Sequence, residues 1–438
     1  MIKVLPIKTK IANVAKVISG YAFKSKEFME EGIPVIKIRN IRLGAIDNSE
    51  IQYVSDEYLK INPKYHVYPG DILISLTGSH INQPNSVVGR VARFPKGSKN
   101  ALLNQRAGKF IITEPDKCDS SYLYYHLVDE GMRRDIAAFA HGAANQANVS
   151  PSQIESLDIN LPPIPTQRKI ASILSAYDDL IENNLRRIKI LEEMTQNLYR
   201  EWFVKFRFPG HERVRVVDSP LGKIPGGWEV AKLGNVLSEL ESGSRPKGGI
   251  DPNVRDVPSV GAENILGLGK YDYSKDKFVS HEFFENMRRG RIKSGDVLLY
   301  KDGAKIGRKS MFRDDFPHAQ CCINEHVFIL RNNDRCSQTY LFFWLDQPDM
   351  TERIRQLNAN AAQPGINQEG VKGLPIILPP RRVREEFDVL VEPLSAELFN
   401  LAKANRVLRQ TRDLLLPKLI SGELDISELN IAIPEETV

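Results

Sequence analysis

The chain has 438 residues, room for two or three domains with ample core. Its apolar fraction of 42% and charged fraction of 26% are ordinary for a globular protein, and no apolar run approaches the roughly 20 residues a membrane helix needs. A net charge of +5 is too small to name a partner, and MIKVLPIKTKIANVAKVI at the start has no secretory h-region, so the expected compartment is the cytoplasm.

Read in order, the first 160 residues alternate short β-rich runs with Gly, Pro and Asn turn signals. IANVAKVISG (11–20) leads into the polar turn GYAFKSK (20–26). IPVIKIRNI (33–41), GDILIS (70–75), VGRVARF (88–94) and KFIIT (109–113) follow as strands, with the polar loop LTGSHINQPN (76–85) between two of them. YLYYHL (122–127) lies in a helical stretch, and the segment closes on INLPPIP (159–165), an extended strand end. From Ile170 to Trp202, apolar or small residues recur at alternating steps of four and three, the spacing of a coiled-coil seam.

The same order then returns. LGNVLSELESG (233–243), VPSVGAENI (257–265), GDVLLY (295–300), YLFFWL (340–345) and IILPPRR (376–382) answer their counterparts at offsets drifting from 217 to 225. Asn324-Glu325-His326 answers Asn104-Gln105-Arg106, and a second seam runs from Phe387 to Leu419. Six matches in one order indicate a duplication. Two helices that each follow an equivalent unit pair most simply with each other, antiparallel about a pseudo-two-fold axis. A pairing centred near Arg186 sets Asn184 opposite Asn405, a buried amide pair that fixes register. Pro393 is expected to kink or split the second helix, with residues 175–177 the matching place in the first. The expected fold class is therefore α+β: two duplicated β-rich domains with helices, separated by an antiparallel two-helix coiled coil.

Signatures of catalysis are missing. The chain lacks GxxxxGK[ST], HExxH and GxSxG, and Gly267-Leu268-Gly269 is followed by Asp272 where a dinucleotide-binding fingerprint has glycine. Asn160-Leu161-Pro162-Pro163 departs from the Asn-Pro-Pro-aromatic loop of adenine methyltransferases by an inserted Leu and a missing aromatic. Cys118, Cys321, Cys322 and Cys336 show neither zinc-site spacing nor a disulfide framework and read as free, buried thiols.

Positive charge collects in the same place in both repeats. Lys60 to Lys109 holds eight Lys/Arg against Asp71 alone, and residues 287–313 hold nine against Asp296 and Asp302. A solvated face is the usual meaning of one such run. Its repetition favours phosphate contact, where Lys and Arg gain affinity by displacing counterions. The polar loops between the strands, including KDGAKIGR (301–308) and SGSRPKGG (242–249), carry side chains able to reach base edges. The candidate DNA-contacting residues are Lys24, Lys26, Arg39, Asn40, His80, Asn82, Gln83 and Arg106 in copy one. In copy two they are Arg245, Lys247, Asn264, Lys301, Lys305 and Arg308.

The ordered set INLPPIPTQRKIASIL, NLYREWF, SGDVLLYKDGAKIGR…CCINEHVFIL, ILPPRRVREEF and LLLPKLISGELDI resembles the specificity subunits of type I restriction–modification systems over nearly the whole chain. The resemblance implies target recognition domains at 1–160 and 208–378, spacer helices at 161–207 and 379–425, and a C-terminal tail at 426–438. Each domain would read one half of a bipartite, asymmetric site on double-stranded DNA. The helices would space the domains and dock two methyltransferase subunits, with two motor-nuclease subunits where the system has them. No catalysis and no cofactor are expected on this chain; S-adenosylmethionine, ATP and magnesium belong to the partners. Glu325 departs from Gln105 of copy one and would repel a phosphate. Outer apolar helix positions with Trp202, Phe203 and Phe206 are candidates for docking partners or for core packing. The other reading of the same features is a coiled-coil scaffold that does not touch DNA.

Overall fold

A computed structural model describes residues 7–79, 88–143, 146–358 and 365–433. The chain divides into two compact units, Met1–Asp179 with Arg409–Val438, and Leu180–Leu408.

In the first unit, β1 (Ile7–Lys10) pairs with β10 (Asp158–Leu161), the strand that ends in the double proline. Between them lie β2 (Ala15–Ser19), β3 (Ile33–Ile36), β4 (Gln52–Val54), β5 (His66–Val67), β6 (Ile72–Ser75), β7 (Val91–Arg93), β8 (Ala101–Leu103) and β9 (Ala107–Ile112). Helices α1 (Ser120–Val128), α2 (Glu130–Ala138) and α3 (Pro151–Glu155) complete the unit. One antiparallel sheet has the order β7-β6-β9-β2, and a second has the order β4-β3-β8-β5 with β3 and β8 parallel. The LPP motif is followed by α4 (Ile164–Tyr199). Gln167 is fully buried near its start and fastens three backbone groups: it accepts from Asp119 N at 2.9 Å and donates to Lys117 O and Pro162 O at 2.8 Å.

The second unit repeats this plan. Strand β11 (Glu229–Lys232) pairs with β19 (Pro375–Leu378), again ending at two prolines. Its first sheet runs β16 (Lys309–Phe312), β15 (Asp296–Tyr300), β18 (Val327–Asn332), β12 (Leu237–Ser242). The second runs β14 (Phe278–Val279), β13 (Val257–Val260), β17 (Cys322–Ile323), with β13 and β17 parallel. Three helices follow, α5 (Gln338–Leu345), α6 (Pro348–Gln356) and α7 (Gln368–Gly373), before β19 and the long α8 (Arg381–Ser421).

Equivalent contacts hold the two units together internally. The first tyrosine of YLYYHL donates to the carbonyl of Asn160 at 2.7 Å, and the first of YLFFWL donates to the carbonyl of Ile377. At the two Gly-Asp turns, Asp71 and Asp296 each accept a backbone N–H, from Tyr68 and Lys293, at 2.8 Å. Lys109 neutralises Asp71 at 3.1 Å, whereas Arg331 grips Asp296 through Nε and Nη2, both at 2.7 Å. The cations come from non-equivalent positions of the matching strands, since Lys109 pairs with Leu73 and Ile329 with Leu298. The equivalent carboxylate, half-buried in the first unit and buried in the second, has been compensated in two ways.

Each unit contains a stretch of both long helices, running antiparallel. In the first, Asp178 meets Arg412 at 2.5 Å while Ile170 and Leu174 share a core with Leu419 and Ile420. In the second, Asn184 Nδ2 donates to Asn405 Oδ1 at 2.9 Å, both side chains buried, and Tyr199 packs on Phe387. All ten seam positions of each helix are buried or half-buried. The expected breaks do not occur: α4 runs through residues 175–177, and α8 runs through Pro393. Pro393 lies on the exposed side, and the carbonyl of Val389 that loses its donor belongs to a residue 71% exposed. Burial of Phe387, Val391 and Leu398 offsets the cost of the proline.

Trp202 and Phe203 are core residues. They sit in a π-turn, Arg200–Val204, that ends α4, and Phe203 packs edge-on against Tyr340 and Phe387 at 4.9 and 4.8 Å. All four cysteines are buried, and burial pushes the Cys118 and Cys336 thiols up to about 12. Among the described residues, no helix is long and apolar enough to cross a membrane.

The amide pair yields a test. Asn184→Leu or Asn405→Leu leaves the other amide buried without its partner and should lower stability by about 1–3 kcal/mol, while the double substitution should regain most of that loss. Thermal unfolding of the four proteins measures the coupling, and additive losses would show that the pair is not coupled.

Candidate nucleic-acid interface

In the first unit the turn after β2 starts at Gly20, where a β-carbon would stand 2.2 Å from the carbonyl oxygen of Leu103. Only glycine allows the two backbones to meet so closely. Beyond it, Phe23 is buried against Tyr21 and Tyr58 with ring centroids 5.0 and 5.2 Å apart, and this aromatic base carries Lys24 and Lys26, both exposed. Neither lysine forms an ion pair with another described residue. Arg106 is also exposed, on the turn whose Asn104 N–H is fixed to Ile36 O at 3.0 Å. Arg39 is exposed but engaged, donating to Glu50 O at 2.9 Å and facing its carboxylate at 3.4 Å. His80, Asn82 and Gln83 lie outside the described residues.

In the second unit Gly243 is the counterpart of Gly20, its β-carbon position 1.9 Å from the carbonyl oxygen of Ile323. Arg245 follows, paired with Glu325 and with Nη2 3.2 Å from His326 Nε2. His326 Nδ1 lies 3.3 Å from Asp302 Oδ2, and Lys301 Nζ lies 3.0 Å from the same oxygen. Five side chains from three segments thus meet in a network whose charges balance when His326 is neutral. Lys247, Lys305 and Arg308 are exposed around it.

Asn40 and Asn264 do not present their amides to solvent, each being 1% exposed. Asn40 donates to Asp47 O and accepts from Lys37 N, both at 3.0 Å, and so ties a loop closed. The Asn264 N–H bonds to Gly261 O at 3.0 Å, and its side chain is buried near Tyr271. The charge runs are similarly divided. Lys309 is buried beside Asp346, and desolvation brings its ammonium down to about 8. Arg313 makes two bonds to Glu392, at 3.1 and 2.7 Å. These two cations serve the fold.

One cluster escaped the sequence. Arg90, with Nη1 buried and without an acceptor among the described residues, feels the positive charges of Arg42 and Arg133, and desolvation followed by those two charges holds its pKa below the usual arginine value. Arg42 and Arg133 belong to separate segments, so no local charge count gathers the three.

Residues 8–193 match the family described as type I restriction modification DNA specificity domain. The chain is 27% identical to a type I restriction enzyme specificity subunit of Methanocaldococcus jannaschii over 423 residues, covering 96% of this chain and 94% of that one. It is 24% identical to one of Escherichia coli, covering 95% and 86%. Residues 8–193 thus resemble a type I restriction modification DNA specificity domain, and over nearly its whole length the chain is similar to type I restriction enzyme specificity subunits. Its fold is similar to that of the S subunit of a type I restriction-modification system from M. genitalium, with a TM-score of 0.57 and 17% identity over 95% of this chain and 96% of that one.

Exposure separates two classes of candidate. Lys24→Ala and Lys26→Ala should each flatten the salt dependence of DNA binding by about one in the log–log slope and leave the melting temperature unchanged. Asn40→Ala should instead lower stability by about 1–3 kcal/mol and leave the slope alone. Binding titrations across a salt series, with parallel thermal melts, check both.

Proposed function

We propose that the chain is the sequence-reading subunit of a type I restriction–modification complex and performs no catalysis itself. Each unit reads one half of a bipartite, asymmetric DNA site. The two long helices form an antiparallel coiled coil with pseudo-two-fold symmetry, set the length of the unread spacer and dock two methyltransferase subunits. In this reading 1–160 and 208–378 are the recognition domains, 161–207 and 379–425 the spacer helices, and 426–438 a tail. S-adenosylmethionine is held by the methyltransferase partners, and ATP and magnesium by motor-nuclease partners where they occur.

One observation carries the reading. Matching sheets, the first with the same strand order and the second built on the same parallel pair, bring a glycine turn to a strand end in both units, yet the side chains at these turns differ. In the first unit the turn offers the exposed Lys24 and Lys26; in the second it offers a charge-balanced Arg-Glu-His network. A scaffold kept only for joining proteins has no use for a constant framework with chemically diverged tips. A protein that reads two different half-sequences requires that combination.

Gel-shift titration with and without the methyltransferase partner, over a salt series, tests the function. Binding whose affinity falls steeply with salt is expected, and a scaffold that does not read DNA would show none. A four-residue insertion in each helix should lengthen the unread spacer and leave both half-sequences as they were. Altered half-sequences would refute the ruler role of the helices.

A further inference from the structure

Gln105 and Glu325 occupy the same place in the two units. Asn104 N donates to Ile36 O and Asn324 N donates to Val260 O, each at 3.0 Å. The Asn104 Oδ1 then accepts from Arg106 N at 3.5 Å, and the Asn324 Oδ1 from His326 N at 3.0 Å. Residues 105 and 325 are therefore centred on identically framed turns, each pressed by a glycine of the preceding segment. The framework is constant and the central side chain is not.

The chemistry of the two side chains differs in one decisive respect. A glutamine amide donates and accepts side by side, whereas a carboxylate only accepts. Gln105 is exposed. Glu325 has Oε1 engaged by Arg245 and by His326 Nε2 at 3.3 Å, while Oε2 is shielded from solvent and has no donor among the described residues. A shielded carboxylate oxygen without a donor is costly until one arrives. In the major groove, adenine offers N6–H₂ beside N7, the complement of a glutamine amide. Cytosine offers N4–H₂, a donor for a carboxylate, and the guanine paired with it offers O6 and N7 to an arginine.

We propose that Gln105 reads an A·T pair and that Glu325, with Arg245 beside it, reads a C·G pair, each within the half-sequence of its own unit. The proposal rests on the reading that both units contact bases. It also gives the carboxylate at 325 a use: it is an acceptor for a base amine, and its charge is balanced by Arg245, so it does not confront a phosphate.

The test uses the full chain with its methyltransferase partner, and maps the methylated motif for the parent, Glu325→Gln and Gln105→Glu. Glu325→Gln should change one position of one half from C·G to A·T, with discrimination against the original pair of about fivefold to a hundredfold. Gln105→Glu should make the reverse change at one position of the other half. Because Gln105 is exposed, its variant keeps the fold and remains informative even if Glu325→Gln unfolds the second unit. Folded variants whose motifs stay the same, or whose affinity falls equally on every sequence, overturn the proposal while the parent's chain-dependent motif leaves the DNA-reading function standing. A parent complex with no chain-dependent motif overturns both.

Discussion

A carbonyl oxygen stands where a β-carbon would be at Gly20 and again at Gly243. This close approach is the constraint from which the candidate interface follows. It forces the segment leaving β2 or β12 to cross the end of the parallel strand pair, where the Asn104 and Asn324 turns are anchored through their own backbone N–H groups. The two loops that carry the candidate contacts are thereby brought side by side in each unit. Any substitution at either glycine must move a strand backbone, because the obstacle is a main-chain atom rather than a flexible side chain.

On that common frame, each unit has solved its electrostatics separately. The aspartate of the Gly-Asp turn, half-buried in one unit and buried in the other, is neutralised by Lys109 and by Arg331 respectively, from strand positions that do not correspond. Lysines stand exposed above an aromatic base in the first unit, while the second ties its arginine to Glu325 and His326. Compensation inside the fold and chemistry at its surface have thus diverged independently of strand order. A fold whose stability depends on internal pairs can change its exposed loops without rebuilding its core.

Much of this was legible in the sequence because periodicity and order survive duplication. The 4-3 seam picked out twenty positions that are all buried or half-buried, and the register inferred from it set Asn184 against Asn405. Pro393 does not split its helix, although proline is costly in a helix on average, because it lies on the exposed side. Asn40 and Asn264 misled because an asparagine that closes a loop and one that offers its amide to a base look alike in a polar segment. Trp202 and Phe203 stayed open between docking and core packing because the π-turn that places them has no sequence mark, and the structure puts both in the core. The Arg42, Arg90 and Arg133 cluster was invisible for a simpler reason: its members are distant along the chain and meet only in three dimensions.

The account stands on one claim, that a single recognition framework is used twice to read two different half-sequences. Mapping methylated adenines across the genome of the host, with this chain present and deleted, measures that claim most directly. The account predicts a motif of two short fixed halves around an unread spacer of constant length, lost entirely on deletion. A single uninterrupted motif, or methylation that persists unchanged without the chain, would contradict it.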